Sequence, residues 1–188
     1  MLLIKPYDRG RAVEYARRWA LSRNPLFIDF AGQGGDCTSF VSQAVFAGSC
    51  VMDRTPIFGW YYTSPTDRAP AWSGVEFFYD YLTGSGDFPP PDTRVGPFGE
   101  EVNAMFAREG DVVQLANSRG EFYHTLLVTA LVEGDILVAA HSNDAYDRPL
   151  SSYPAASARF LHVEGVRFTV PDTPCFEALY EGSALPRE

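Results

Sequence analysis

Gly34-Gly35-Asp36-Cys37-Thr38-Ser39-Phe40-Val41-Ser42-Gln43 decides how the rest of the chain is read. The run Gly32-Gln33-Gly34-Gly35 is a flexible loop, because glycine adopts backbone angles that other residues avoid. Beyond it Phe40, Val41, Ala44, Val45 and Gly48 recur at helical spacing, which predicts a buried helix with Asp36 as its N-cap or first-turn acid. Cys37 lies three and four residues before Phe40 and Val41 and shares their inward face. A helix N-terminus supplies partial positive charge and free amide donors, which favour a thiolate and can hold an oxyanion. Free cysteine is also commonly a small buried hydrophobe, so a functional reading of Cys37 turns on finding a base.

Working outward, Ala12, Tyr15, Ala16, Trp19 and Ala20 mark one face of an earlier helix over 8–20, with Asp8 as its N-cap and Arg11, Glu14, Arg17 and Arg18 facing solvent. Asn24-Pro25 ends that pattern. Residues 52–97 are rich in Pro, Gly and aromatics; they predict an irregular segment with a short helix over 75–82 and an exposed turn at Pro89-Pro90-Pro91. Strands follow over 112–115, 123–132, 136–140 and 159–163, with a further one over 165–170. Helices first and strands afterwards indicate an α+β fold with helices packed on an antiparallel sheet. We read one domain, 1–188: a helical part over about 1–50, an irregular aromatic-rich segment over about 51–105, a sheet over about 110–170, and a C-terminal strap with a frayed end over 171–188.

The base must come from three histidines. His124 opens the strand over 123–132 and His141 closes the strand over 136–140, so both flank one predicted hairpin. A catalytic imidazole needs a rigid element and a partner for its second nitrogen. If Glu133-Gly134 is a two-residue turn, His124 comes opposite Asn143 with His141 diagonal on the same face. A three-residue loop makes Asp144 the neighbour instead. Ser142, Asn143 and Asp144 are equally ordinary turn formers. His162 has no polar company in sequence.

Composition excludes several classes of partner. The 188 residues carry 15 Lys+Arg against 24 Asp+Glu, a net charge of -9, which repels phosphate backbones and anionic lipid surfaces. Neither nucleic acid nor a membrane is expected as a partner. Cys37, Cys50 and Cys175 allow at most one disulfide, and without a Cys-x-x-Cys or His-x-His pair no metal or other cofactor is expected. No export signal is read at the N-terminus, which leaves the cytoplasm as the default expectation. Charge and motifs leave the oligomeric state open.

Tyr7-Asp8-Arg9, Ala12-Val13, Tyr15-Ala16, Trp19, Asn24-Pro25, the Gly34–Gln43 run, Trp60-Tyr61-Tyr62, Trp72, Gly110-Asp111-Val112-Val113-Gln114, Tyr123-His124, His141-Ser142-Asn143-Asp144 and Arg148-Pro149-Leu150 together resemble the bacterial amidase-6 domain family. That family is related to NlpC/P60 and CHAP domains within the papain-like cysteine peptidase superfamily. The resemblance implies a papain-like, NlpC/P60-type fold and a cysteine amidase or peptidase that hydrolyses an amide bond, with cell-wall peptide as one substrate class. It implies Cys37 as nucleophile, His124 as general base, and a polar third member from 141–144; the hairpin register favours Asn143, then Asp144, then His141. Ser39 stands where much of the family has asparagine, which places it among the substrate contacts. Trp60, Tyr61, Tyr62 and Trp72 either wall the cleft as flat amphipathic surface or belong to the core. The competing classes are a catalytically inactive binding module of the same fold and an acyltransferase using the same Cys-His pair.

Overall fold

In the computed structural model, which describes residues 1–170 and 173–185, the chain runs β1 (Leu3–Lys5), α1 (Arg9–Trp19), α2 (Asp36–Ser49), a small hairpin of β2 (Tyr62–Ser64) and β3 (Asp67–Arg68), α3 (Pro70–Ser73), α4 (Val75–Thr83), β4 (Gly96–Val102), β5 (Val112–Ala116), β6 (Phe122–Val132), β7 (Asp135–Ala140), β8 (Ala145–Pro149), β9 (Ser157–Phe168) and α5 (Phe176–Glu181). Among the described residues it is a mixed α/β fold with five α-helices and an antiparallel sheet.

Local chemistry sets the two long helices. Asp8 caps α1 by accepting the Arg11 N–H at 3.0 Å, and Ala12, Val13, Tyr15, Ala16 and Trp19 form its buried side. At the start of α2 the cap is Gly35, with φ 91°. A Cβ there would meet Ser73 O at 2.9 Å, so both backbone angle and space require glycine and Asp36 moves into the first turn. The repeat of Phe40, Val41 and Ala44 predicts one inward face, yet every residue of α2 is buried. Its polar side chains are satisfied internally: Ser42 Oγ accepts Trp60 Nε1 at 3.0 Å, and Gln43 accepts the Tyr15 hydroxyl at 2.7 Å while donating to Ser39 Oγ at 3.2 Å.

The main sheet has seven strands in the order β1-β9-β5-β6-β7-β8, with β4 also pairing β9. Its hub is β9, where β4 lies along one edge while β5 and then β1 share the other. The strands expected over 159–163 and 165–170 are one continuous strand, with an irregularity opposite Phe98 and Gly99. Three strands of this sheet were not predicted. Part of β4 falls in the segment over 52–97 expected to be irregular, and the Gly and Pro of Gly96-Pro97-Phe98-Gly99 are tolerated there because it is an edge strand. β8 is the opposite edge, and β1 has only three residues.

The two faces of the sheet carry separate apolar clusters. Val112, Leu127, Ala139, Leu161 and Val163 pack with the helices, while Val113, Leu115, Leu126, Val128, Val138 and Phe160 pack on the other face. The C-terminal strap contains α5, whose Leu179 carbonyl accepts from Trp19 Nε1 and Asn24 Nδ2. A disulfide joins Cys50, at the end of α2, to Cys175 before α5. The frayed end expected at residues 186–188 lies outside the described residues, as do 171–172.

One buried carboxylate ties the helical layer to the sheet. Asp111 is fully buried, pairs with Arg9 Nη1 at 2.5 Å, accepts the Val163 N–H at 3.1 Å and lies 2.9 Å from His162 Nδ1. Removing one member of such a pair strands the other charge, so Asp111→Ala should lower the unfolding free energy by about 3–5 kcal/mol in urea titrations. A loss within about 0.5 kcal/mol, as for a surface change, would show that this network does not hold the layers together.

Candidate active site

Cys37 lies in the first turn of α2, buried at 6% exposure, and among the described residues its thiol has Thr38 Oγ1, 3.8 Å away, as its polar neighbour. The first-turn amides of a helix have no intrahelical acceptor, so this is where donors for an oxyanion are found. Two contacts fix this end of α2 to the sheet. Thr38 Oγ1 and Thr125 Oγ1 on β6 are hydrogen-bonded at 2.8 Å, and Gln114 Nε2 donates to Thr125 at 3.3 Å and to the Val75 carbonyl at 2.8 Å. On the other side Phe40 stacks on the His141 ring, centroids 4.1 Å apart, and Asp36 Oδ2 lies 3.2 Å from His141 Nδ1. Helical spacing places Cys37 between the side that meets Thr125 and the side that meets His141.

The His141 ring is held at both nitrogens. Nε2 is 3.0 Å from the Trp19 carbonyl, an acceptor only, so the proton sits on Nε2 and Nδ1 faces the Asp36 carboxylate. Asp36 Oδ2 is also 3.1 Å from Arg23 Nη2. Neither contact meets hydrogen-bonding geometry, leaving Oδ2 without a hydrogen-bond donor, and the Arg23 contact acts as a charge–charge interaction. Burial works to raise the Asp36 carboxyl, but His141, Arg23 and the Phe30 N–H together outweigh it and hold the group below the ordinary carboxylate range. Arg23 also grips Asp144 in a fork, Nη1–Oδ2 at 2.8 Å and Nη2–Oδ1 at 3.1 Å, and meets Asp29 at 3.2 Å. One guanidinium thus links the glycine-rich loop, the start of α2 and the turn after β7.

The hairpin arrives differently from its prediction. The turn has two residues, with Val132 facing Asp135, but a bulge between Val128 and Ala130 shifts the register so that Leu127 faces Ala139. Continued outward, this register puts Thr125 beside His141 and His124 beside Ser142. A one-residue slip moves side chains to the other face, which overturns the expectation that His124 and His141 share one. His124 faces Leu115 across β5, in the cluster turned away from α2, and its ring lies 6.0 Å from that of Tyr153. Among the described residues no hydrogen bond joins Cys37 to an imidazole. Asn143 is exposed in a tight turn with φ 71°, and Asp144 serves Arg23.

Among the expected substrate contacts, Trp60 and Trp72 are fully buried, stack 5.0 Å apart and pack with Tyr81, Phe27 and Tyr62, so they are core and not cleft wall. Tyr62 is itself buried, and its hydroxyl oxygen accepts the Ile28 N–H at 3.0 Å. Ser39 is fully buried and bonded to Gln43, while Tyr61 is half-buried. Sequence reasoning passed over Arg23, whose partners Asp36 and Asp144 are 13 and 121 residues away, and the Thr38–Thr125 pair, 87 residues apart. Among the described residues no group of three His, Cys, Asp or Glu side chains is placed to hold a metal ion, and no helix is long and apolar enough to cross a membrane.

Fold and site together define a mixed α/β domain with a free thiol at the N-terminus of a central helix, beside a carboxylate–imidazole pair. Residues 6–163 match the family described as "Putative amidase domain", and the chain belongs to that family, whose description points to amide hydrolysis. It is 28% identical over 168 residues to the uncharacterized protein YhbB of Bacillus subtilis (strain 168), an alignment covering 84% of this chain and 50% of the relative, so the chain spans half the length of that protein. No solved structure matches.

Burial, with the charge of Arg148 beside it, pushes the His124 imidazole down to about 4. Between that value and about 6.5 the unfolded chain takes up a proton that the folded protein refuses, so stability should fall as pH drops through this window, by up to about 3 kcal/mol. Chemical denaturation at stepped pH should show this slope in the wild type and a flatter one in His124→Leu. Arg23→Met should release the turn at 141–144, read as faster amide hydrogen exchange there than in β5; unchanged protection would show that the Arg23 fork is dispensable.

Proposed function

We propose that this domain hydrolyses an amide bond, with Cys37 as nucleophile and His141 as the imidazole that serves it. The observation that carries the reading is the position of Cys37 in the first turn of α2, flanked by the Asp36–His141 pair, in a chain of an amidase family. His141 would take the thiol proton, the thiolate would add to the amide carbonyl, and first-turn amides would hold the oxyanion. The protonated imidazole would then deliver its proton to the leaving amine, and water would release the acyl group from the thioester. The Trp19 carbonyl orients the imidazole through Nε2–H, and Asp36, kept in its charged form by Arg23, would stabilise the imidazolium formed when Nδ1 takes the thiol proton. Reaching Cys37 Sγ requires His141 Nε2 to leave the Trp19 carbonyl or Nδ1 to turn from Asp36.

A papain-like ancestry and the cysteine-peptidase type belong to this proposal, supported by the order of the motifs along the chain. For substrate we propose a peptide amide of the cell-wall class. The Cys50–Cys175 disulfide supports that choice, since such bonds persist in oxidising compartments, and it favours a location outside the cytoplasm over the cytoplasmic default.

With Cys50 and Cys175 bonded, Cys37 is the free cysteine and alkylation reports on it directly. Iodoacetamide at neutral pH should add one label per chain, none in Cys37→Ala, and react about tenfold more slowly or less in His141→Ala, with His124→Ala at the wild-type rate. Circular dichroism checks that each variant is folded. Labelling indifferent to His141 would remove it from the mechanism, and labelling slowed by His124→Ala would return the base to His124. A folded, labelled protein that forms no thioester with any peptide amide would favour the binding-module reading.

A further inference from the structure

The sheet face turned away from α2 carries a second group of polar side chains that the Cys37 chemistry does not use. His124 is 8% exposed, and among the described residues neither ring nitrogen has a hydrogen-bond partner. The neighbouring Tyr153 hydroxyl is buried and also without a partner. Arg148, on β8, lays its guanidinium 3.9 Å from the centre of the Tyr153 ring and donates to Ser152 Oγ at 2.8 Å and the Ser152 carbonyl at 3.2 Å. Among the described residues no carboxylate pairs with any of the three.

A buried phenol left unpartnered forfeits about 1–3 kcal/mol, and here it stands beside a guanidinium that, among the described residues, has no carboxylate partner. An imidazole, a phenol and a guanidinium lie in one cluster whose charged member has, among the described residues, only the neutral acceptors of Ser152, and its positive charge selects an anion. The guanidinium edge carrying Nη1, which Ser152 leaves open, matches the two oxygens of a carboxylate, and a neutral imidazole and a phenol each add one donor. We propose that His124, Arg148 and Tyr153 form a carboxylate-binding site, able to take the C-terminal carboxylate of a peptide, on the face of the sheet opposite Cys37. This site does not depend on Cys37 being a nucleophile.

The test follows the His124 ring by NMR in the intact chain at constant ionic strength. Sodium acetate should shift the His124 resonances saturably and raise the titration midpoint above about 4, because a bound anion favours the imidazolium. An acetylated dipeptide with a free C-terminus should act likewise, and its C-terminal amide should not. Arg148→Gln and Tyr153→Phe should each abolish the response while leaving the circular dichroism spectrum unchanged. The proposal is overturned by a non-saturating shift, by equal responses to acid and amide, or by a response that survives in both variants. Slower Cys37 alkylation in His124→Ala would also overturn it, by assigning His124 to the thiol.

Discussion

The complete burial of α2 is the constraint on which the rest of the structure depends. A helix surrounded on every side cannot leave its polar side chains to water, so Thr38, Ser39, Ser42 and Gln43 must each find a partner within the protein. Those partners come from β6, from α1 and from the aromatic segment, and each bond fixes the position of a different layer. The Trp60–Trp72–Tyr81 stack packs on α2 through the Trp60–Ser42 bond and the Trp72–Phe46 contact. The thiol inherits this rigidity, because the residues on either side of it, Asp36 and Thr38, are both tied across the fold.

Charge is distributed in the same economical way. Two arginines near the ends of α1 organise the protein: Arg9 holds the helical layer to β9 through Asp111, and Arg23 gathers Asp29, Asp36 and Asp144. In an acidic chain these few cations are placed where several carboxylates would otherwise repel one another. The Asp36–His141 contact therefore belongs to a network, and its electrostatics depend on a loop and a turn that are far apart in sequence.

Much of the fold was legible from local pattern. The spacing of Ala12, Tyr15 and Trp19 and of Phe40, Val41 and Ala44 predicts α1 and α2, alternation predicts β5 to β7, and Glu133-Gly134 does make a two-residue turn. The edge strands β4 and β8 were not legible, since an edge is defined by having one neighbour and local composition does not encode neighbours. Of the candidate site, the position of Cys37 at the start of a helix was readable because a glycine loop followed by an apolar helical repeat is a local signal. The pairing of histidines was not: one bulge at Thr129 reverses which residues face the helix, and nothing in Val128-Thr129-Ala130 announces it.

By itself, then, the sequence determined the elements, the central helix with its cysteine, and membership in an amidase family, because each rests on short-range spacing or on the order of motifs. Tertiary structure alone decided that His141 and not His124 lies on the sheet face that meets α2, that Trp60 and Trp72 are core, and that Cys50 bonds Cys175. The physical reason is that side-chain facing in a sheet has a period of two residues and is settled by strand register, and register is fixed only when the strands, the bulge and the packed helix meet.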